Sequence, residues 1–269
     1  MTRSEHFRII RHEPGREASE VEDPVAIEEP LEIRVGGRPI SVTMRTPGDD
    51  EALVAGFLLS EGLLRRREDL LRIARCDVES GGEGGATVNA IVGPAVTVEL
   101  AKLTRHVFAS SSCGLCGVAT IDAIRKSFPP IASDLRLDAS MVRGLPDRLR
   151  AVQPTFDATG GLHAAALVDE HGAILHAAED VGRHNAVDKV IGRAFLDGTL
   201  PSPRAILMVS GRASFEIVQK ALSAGVGAIV AISAPSSLAI ELARASGITL
   251  IGFLRQRGFN VYSGGERVR

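Results

Sequence analysis

Strands and helices alternate along the second half of the chain, and this alternation limits the fold more than any other feature of the sequence. Apolar runs that indicate strands enclose segments with helical spacing: "RAILMVS", "ASFEIVQKALSAG", "GAIVAIS", "SSLAIELARASG" and "ITLIGFL". The strand runs are continuously apolar, which is typical of strands buried on both faces of a parallel sheet. Right-handed crossovers place the intervening helices against such a sheet. We therefore predict a three-layer α/β domain over residues 139–269.

The first half of the chain has the pattern of an α+β domain, which we place at residues 25–138. Residues 31–47 predict a hairpin, because apolar residues alternate on both sides of Gly36-Gly37. Residues 48–64 have helical spacing behind two acidic residues, and "TVNAIVGPAVTVEL" predicts two further strands. Residues 1–24 are polar, and we expect them to be partly disordered.

Three polar segments follow the three buried strands of the second domain. Ligands of open parallel sheets bind beyond the carboxyl ends of the strands, where helix N-termini attract anions. The sequence therefore predicts a site for a phosphate-bearing ligand at this edge, although capping serines and solvated arginines would give the same pattern. The segments are Ser210-Gly211-Arg212, Ser233-Ala234-Pro235-Ser236-Ser237 and Arg255-Gln256-Arg257-Gly258-Phe259-Asn260.

Two further clusters combine glycine with polar residues, and neither matches a common nucleotide motif. The first is "TGGLH", which ends at His163, and the second is "EDVGRHN", which contains Asp180, Arg183, His184 and Asn185. A binding site and a set of satisfied structural residues both remain open for them. The chain has no GxGxxG or Walker loop, so it is not an ordinary dinucleotide or ATP fold.

Composition excludes several classes of protein. A net charge of −2, no Trp and one Tyr argue against nucleic-acid binding. No apolar run has the length of a membrane span. The N-terminus has no apolar signal region, and three cysteines in 269 residues are no disulfide framework. We therefore expect a cytoplasmic protein.

The cysteines Cys113 and Cys116 form a CxxC pair within "SSSCGLCGV". A zinc site needs further ligands, and no histidine here is followed by x-Glu as in zinc deaminases. A thioredoxin-like pair would lie near the start of a βαβ domain, whereas this one is in the middle of the chain. A sulfur carrier needs a reactive thiolate in an accessible segment, which the flanking glycines and serines favour. Spacing alone does not say which cysteine is primary.

Several segments together resemble the FdhD family of formate dehydrogenase accessory sulfurtransferases. The resemblance runs from about residue 24 to residue 265. It rests on "SSSCGLCG", "FDATGGLHAAAL", "EDVGRHNAVDKVIG", "SGRASFEIVQKA", "SAPSSLAIELA" and "GFLRQRGFNVY".

The resemblance implies a function, a site and partners. A cysteine desulfurase would supply persulfide sulfur to Cys113, with Cys116 as relay. The sulfur would pass to the bis(molybdopterin guanine dinucleotide) molybdenum cofactor, which formate dehydrogenase requires. A C-terminal domain like the cytidine deaminase fold without its zinc, and a homodimer, are also implied. The alternative is a cofactor chaperone that performs no covalent chemistry.

The predicted cofactor contacts are therefore the segment implied by the resemblance together with residues of the polar edge. The segment would hold the guanine nucleotide, with Arg255 and Arg257 contacting phosphate or guanine. The contacts are Phe253, Leu254, Arg255, Gln256, Arg257, Gly258, Ser210, Gly211, Arg212, Ser233 and His184.

Overall fold

The structure is a computed structural model, and it describes residues 2–76, 86–94, 96, 124 and 127–269. Its strands are β1 (Ser4–Arg11), β2 (Ser19–Ala26), β3 (Glu29–Val35), β4 (Arg38–Arg45), β5 (Leu70–Cys76), β6 (Ala86–Val92), β7 (His163–Val168), β8 (Ile174–Asp180), β9 (Ile206–Val209), β10 (Ala228–Ala231), β11 (Thr249–Arg255) and β12 (Gly258–Ser263). Its α-helices are α1 (Asp50–Ser60), α2 (Ala139–Arg150), α3 (Pro154–Thr159), α4 (Arg183–Leu196), α5 (Phe215–Ser223) and α6 (Ser237–Ala245).

The C-terminal part is built on a six-stranded sheet in the order β12-β11-β10-β9-β7-β8. β9, β10 and β11 are parallel, and α5 and α6 connect them as the sequence predicts. All residues of β9 and β10 are buried. Helices α4, α5 and α6 pack on one face of the sheet and α2 on the other. The predicted three layers are therefore present, and the likeness to the cytidine deaminase fold stays a prediction.

The sheet is mixed, because β7, β8 and β12 are antiparallel to their neighbours. β7 and β8 pair with each other as an antiparallel hairpin. β12 is a difference, because the sequence predicts residues 255–260 only as a polar segment after the third buried strand. They form instead the turn and first half of a β11–β12 hairpin. The side chains of β12 are half-buried or exposed, so this edge strand has no apolar run that the sequence could reveal.

A four-stranded sheet in the order β4-β3-β6-β5 forms most of the N-terminal part. β3 and β4 are joined by Gly36 and Gly37, whose φ angles are +56° and +80°. Positive φ at both positions suits a two-residue hairpin turn and strains other residues. The predicted hairpin is therefore confirmed, and α1 confirms the predicted helix after it.

The polar N-terminal residues, which we expected to be partly disordered, form the antiparallel hairpin of β1 and β2. Ser4 pairs with Ala26 at its base, and Arg11 pairs with Ser19 at its tip. The guanidinium of Arg3 donates to the carboxylate of Asp49 at 3.2 Å, which ties the hairpin to the start of α1. No residue of either strand is buried, so the sequence carries no core-facing alternation there.

Helices α1 and α4 pack against each other so closely that their backbones are in contact, and this contact joins the two parts of the molecule. A Cβ atom added to Gly56 would lie 2.0 Å from the carbonyl oxygen of Asp188, and one added to Gly192 would lie 1.7 Å from that of Ala52. Only glycine permits this approach at either position. One apolar core extends across the contact, so the boundary predicted at residues 138/139 separates two parts that share a core.

None of the helices in the described part of the chain is long and apolar enough to cross a membrane.

Candidate functional site

The carboxyl ends of β9, β10 and β11 lie at one edge of the six-stranded sheet, and backbone hydrogen bonds connect the segments that follow them. The amide of Ala213 donates to the carbonyl of Ala234 at 3.2 Å, and the amide of Phe253 donates to the carbonyl of Ser233 at 3.0 Å. The structure thus brings the three predicted polar segments together. We call this surface the carboxyl edge, formed by residues 210–214, 233–237 and 253–258.

Ser210 connects the carboxyl edge to β7. Its amide donates to the carbonyl of Ala164, and its hydroxyl accepts a hydrogen bond from the amide of Ala164, both at 2.9 Å. Because β7 runs antiparallel to β9, its first residue, His163, lies at the same edge. Arg212 is exposed. The predicted contact Ser210 is thus held in place by the sheet, and Arg212 is open to solvent.

Phe253 has an unusual backbone conformation at this edge. Its φ angle is +53°, and its side chain is 46% exposed. The left-handed region costs a residue with a Cβ about 1–2 kcal/mol. Such strain at an exposed aromatic residue is a reason to expect a function for it.

The remaining residues of the predicted contact segment 253–258 differ in what they offer a ligand. The side chain of Leu254 is fully buried in the apolar core, so only its backbone can face the edge. Arg255 donates to the carbonyls of Leu254 and Ile232, which ties it to the protein. The amide of Gln256 donates to Asp147 of α2 at 3.0 Å. Gly258 follows the turn with a φ of +156°.

Arg257, in contrast, is exposed, and it makes no hydrogen bond or ion pair within the described residues. Of the two arginines predicted to contact phosphate or guanine, Arg257 is therefore the one whose whole guanidinium is available.

Part of the "EDVGRHN" cluster is structural. Asp180 and Lys189 form a fully buried ion pair at 2.7 Å. Asp180 also accepts from the amide of Thr46, and Lys189 donates to the carbonyl of Thr46. Asn185 donates to the carbonyl of Met44 at 2.7 Å. Asp180, Asn185 and Lys189 therefore join the end of β4 to β8 and α4.

His184 and Arg183, in the same cluster, face the carboxyl edge instead. Nε2 of His184 lies 3.4 Å from the hydroxyl of Ser214 and 3.9 Å from the carboxylate of Glu216. Burial, followed by the charges of Lys220 and Arg183, lowers the pKa of His184 to about 4. Its imidazole is therefore neutral at neutral pH.

Arg183 and His163 are site residues that were not among the predicted cofactor contacts. Nε of Arg183 is buried and has no hydrogen-bond partner among the described residues. Burial, and then the charge of Arg183, lower the pKa of His163. The sequence signals for these two residues were the glycine-containing clusters "TGGLH", at the start of β7, and "EDVGRHN", at the end of β8. Together with His184 they give the edge a buried guanidinium nitrogen without a partner among the described residues, and two imidazoles whose pKa values are lowered.

Cys113 and Cys116 lie outside the described residues. Within those residues, no group of three or more His, Cys, Asp or Glu side chains is arranged to hold a metal ion. A surface cavity of about 380 Å³ lies at the opposite end of β11 and β12, where it is lined by Arg244, Tyr262 and Arg267. This cavity is therefore separate from the carboxyl edge.

The fold and the edge together define an α/β protein whose polar segments gather at the carboxyl ends of its parallel strands. Comparison with known proteins is more specific, because residues 26–269 match the model of the FdhD/NarQ family. The chain belongs to this family.

Relatives of known name cover nearly the whole chain. The chain is 49% identical over 271 residues to the sulfur carrier protein FdhD of Streptomyces avermitilis, covering 98% of this chain and 95% of that one. It is 47% identical over 268 residues to the sulfur carrier protein FdhD of Mycobacterium tuberculosis, covering 97% of both. A crystal structure described as that of a formate dehydrogenase accessory protein from Desulfotalea psychrophila matches over 100% of both chains, with a TM-score of 0.78 and 27% identity.

Proposed function

We propose that this chain is a sulfur carrier that takes sulfur from a cysteine desulfurase and delivers it to the molybdenum cofactor of formate dehydrogenase. The observation that carries the proposal is the 49% identity, over nearly the full length, to a protein named sulfur carrier protein FdhD. The "SSSCGLCG" segment supplies the thiols that such a role needs. We further propose that the protein acts in the cytoplasm as a homodimer.

Loading of the carrier follows ordinary thiol exchange. The thiolate of Cys113 attacks the outer sulfur of the desulfurase persulfide. A new S–S bond forms on Cys113, the S–S bond of the donor breaks, and the donor cysteine leaves as a thiolate. A cysteine thiol of ordinary pKa, about 8.5, is only partly ionised at neutral pH, so a nearby cation or helix N-terminus accelerates the step. Cys116 can receive the sulfur from Cys113 by the same exchange.

The substrate cofactor, bis(molybdopterin guanine dinucleotide), docks by its guanine nucleotide ends at the carboxyl edge. The exposed ring of Phe253 offers a stacking surface for guanine. Arg257 offers forked donors to phosphate. The other predicted contacts line the same edge: Ser210, Gly211, Arg212, Ser233 and His184 by side chain or backbone, Leu254 by backbone only, and Arg255, Gln256 and Gly258 in the hairpin turn.

Sulfur loading is tested with a desulfurase and isotopically labelled cysteine, followed by intact mass spectrometry. The wild-type chain should gain one sulfur atom. Cys113→Ala should gain none, and Cys116→Ala should still be loaded. Cys76→Ala is the matched control, because Cys76 is the third cysteine and lies in β5.

Loading of Cys113→Ala at the wild-type rate would refute the assignment of Cys113. If Cys113→Ala also still activates formate dehydrogenase, the protein is a cofactor chaperone without covalent chemistry. The docking half of the proposal is tested separately by titration with guanosine diphosphate, and absence of binding would refute it.

A further inference from the structure

The surface cavity of about 380 Å³ lies beside the start of β11 and the end of β12, and three of its lining residues are charged: Arg244, Glu266 and Arg267. We call it the amino-end cavity. Because β11 has seven residues and a strand rises about 3.3 Å per residue, roughly 20 Å of strand separates this cavity from the carboxyl edge. It is therefore not part of the surface that we assign to the nucleotide.

Arg244 presents most of a guanidinium group at the wall of the amino-end cavity. It is an exposed residue of α6, and its Nε donates to the backbone carbonyl of Tyr262 at 3.1 Å. Its two Nη atoms have no hydrogen-bond partner within the described ranges of the chain. The bond from Nε holds the group in place, and the two Nη atoms form the fork that binds a carboxylate through two parallel hydrogen bonds.

Arg267 is the second cation of the cavity, and the protein holds it in place. Its Nη1 donates to the carbonyl of Gly247 at 2.9 Å and to the hydroxyl of Thr249 at 3.1 Å. Its side chain is only 14% exposed. The carboxylate of Glu266 lies 3.9 Å from Nε of Arg267, but the Glu266 side chain is 72% exposed. Water screens such a carboxylate, so it compensates the charge of Arg267 only weakly.

The charges of the lining residues leave one positive charge, because two arginines are opposed by one glutamate. The chain as a whole carries a net charge of −2, so the amino-end cavity is cationic on a slightly acidic protein. A monoanion completes the charge balance. A phosphate dianion would bring a second negative charge close to Glu266, and like charges repel. The balance therefore favours a carboxylate over a phosphate.

The size and the other walls of the cavity favour an organic ligand. Its volume of about 380 Å³ lies within the range of about 300–1,000 Å³ that is typical of pockets for small organic molecules. Val261 and Tyr262 contribute apolar surface, and Gly264 and Gly265 leave part of the rim without side chains. The φ of Gly264 is +71°, and a Cβ atom there would clash with the hydroxyl of Thr249. The local fold thus requires glycine at this point and keeps the rim open.

We propose that the amino-end cavity binds a small organic monocarboxylate. The carboxylate group lies on the fork of Arg244 and next to the fixed charge of Arg267, and the apolar body of the ligand lies against Val261 and Tyr262. This binding site is additional to the proposed sulfur-carrier function and does not depend on it. Binding is reversible and involves no covalent step.

Tyr262 provides a reporter for this site alone. The chain has one Tyr and no Trp, so the full-length protein made with ¹³C-labelled tyrosine has a single set of labelled ring signals in its NMR spectrum. Benzoate is the probe, and we expect it to shift these signals in a saturable manner. Benzamide has the same shape without the charge, and acetate has the carboxylate without the ring. Each should bind about tenfold more weakly than benzoate or worse.

Phenyl phosphate tests the choice of headgroup, because it carries the same ring and is a dianion at mildly alkaline pH. It should bind more weakly than benzoate. Guanosine diphosphate should not displace benzoate, since the two sites lie at opposite ends of β11.

Two variants test the walls of the cavity, each with a matched control. Arg244→Met removes the fork and should weaken benzoate binding about tenfold without changing benzamide binding. Arg72→Met, at an exposed position of β5, should bind benzoate like the wild type. Gly265→Leu should weaken benzoate binding, because its Cβ meets only Val261, at 3.9 Å, and the rest of the side chain narrows the cavity. Gly144→Leu, where a Cβ meets no atom within 4 Å, should have no effect. Urea unfolding shows whether each variant is folded.

Absence of a benzoate shift would overturn the inference, and so would equal affinities for benzoate and benzamide. Acetate binding as tightly as benzoate would rule out the organic body, and tighter binding of phenyl phosphate would rule out the monocarboxylate. Wild-type affinity in Arg244→Met would remove the fork from the site. Displacement by guanosine diphosphate would place the probe at the carboxyl edge instead. Sulfur loading of Cys113 is measured by mass, so failure of the proposed function and failure of this site are separate results.

Discussion

Lys220 donates hydrogen bonds to both carboxylate oxygens of Asp188, at 2.7 and 2.8 Å, inside the junction of three helices. Asp188 belongs to α4 and Lys220 to α5, and the hydroxyl of Ser60 at the end of α1 lies 3.1 Å from the same carboxylate. Both charged side chains are at least nine-tenths buried. The pair therefore joins the N-terminal part of the chain to the helices that support the carboxyl edge.

Lys220→Met should destabilise the protein by about 3–5 kcal/mol, because it leaves the Asp188 carboxylate buried without a countercharge. Urea unfolding followed by circular dichroism measures the change. The double variant Asp188→Leu/Lys220→Met should regain part of the loss, since no isolated charge remains. If the double variant is as unstable as the sum of both single variants, the two residues act independently and the pair is not the cause.

Gly56→Ala and Gly192→Ala should each severely destabilise the protein, by about 3 kcal/mol or more. The added methyl groups would lie 2.0 and 1.7 Å from carbonyl oxygens of the facing helix. Gly144→Ala in α2 is the control and should not lower the urea midpoint. A normal midpoint for Gly192→Ala would show that α1 and α4 do not approach as closely as described.

His184 should make the stability of the protein depend on pH. Its pKa is about 4 in the folded chain against an ordinary 6.5, so the unfolded chain takes up a proton first as the pH falls. The contribution of neutral His184 is complete above about pH 6.5 and is lost as the pH falls towards 4. In His184→Gln, the free energy of unfolding should therefore vary less steeply across this range. His171→Gln, at an exposed position, is the control and should keep the wild-type dependence of the unfolding free energy on pH. If His171→Gln flattens this dependence as much as His184→Gln does, His184 is not its source.

Phe253→Gly should separate stability from binding. Glycine removes the cost of the left-handed conformation, about 1–2 kcal/mol, so the free energy of unfolding should be unchanged or higher. Affinity for guanosine diphosphate should fall, because the stacking surface is lost. Calorimetry measures the binding and urea unfolding the stability. Val261→Gly, at a half-exposed position of β12, is the control: it should lower the free energy of unfolding and leave the affinity for guanosine diphosphate unchanged. A large loss of stability in Phe253→Gly would contradict the argument.

Arg257→Gln should weaken guanosine diphosphate binding about fivefold and reduce its dependence on salt, because an exposed charge contributes up to about 1 kcal/mol. Arg72→Gln, at an exposed position of β5 on the other sheet, should bind like the wild type. Equal affinities and equal salt dependence for the two variants would remove Arg257 from the binding surface.

The alternation from β9 to β11 could be predicted from the sequence, because strands buried on both faces must be continuously apolar. β1, β2 and β12 escaped prediction for the opposite reason, since their exposed side chains follow no core. Hairpins of this kind depend on backbone pairing, which a single sequence does not reveal.

The candidate site was predictable only as far as topology determines it. Ser210 and Ser233 follow buried strands, so their edge could be inferred. Which residues of "EDVGRHN" are structural and which face the carboxyl edge could not be inferred, because Asp180 and Asn185 bind residues 44–46, far away in the sequence. That the buried Nε of Arg183 has no hydrogen-bond partner in the described part of the chain is likewise visible only in three dimensions.

The close crossing of α1 and α4 also restricts how the molecule can move. Rotation of one half against the other would pull two backbone surfaces apart and expose the ion pairs Asp188–Lys220 and Asp180–Lys189 to water. Among the described residues, opening at this crossing is therefore costly, and the two halves behave as one stiff frame rather than as two lobes that open and close.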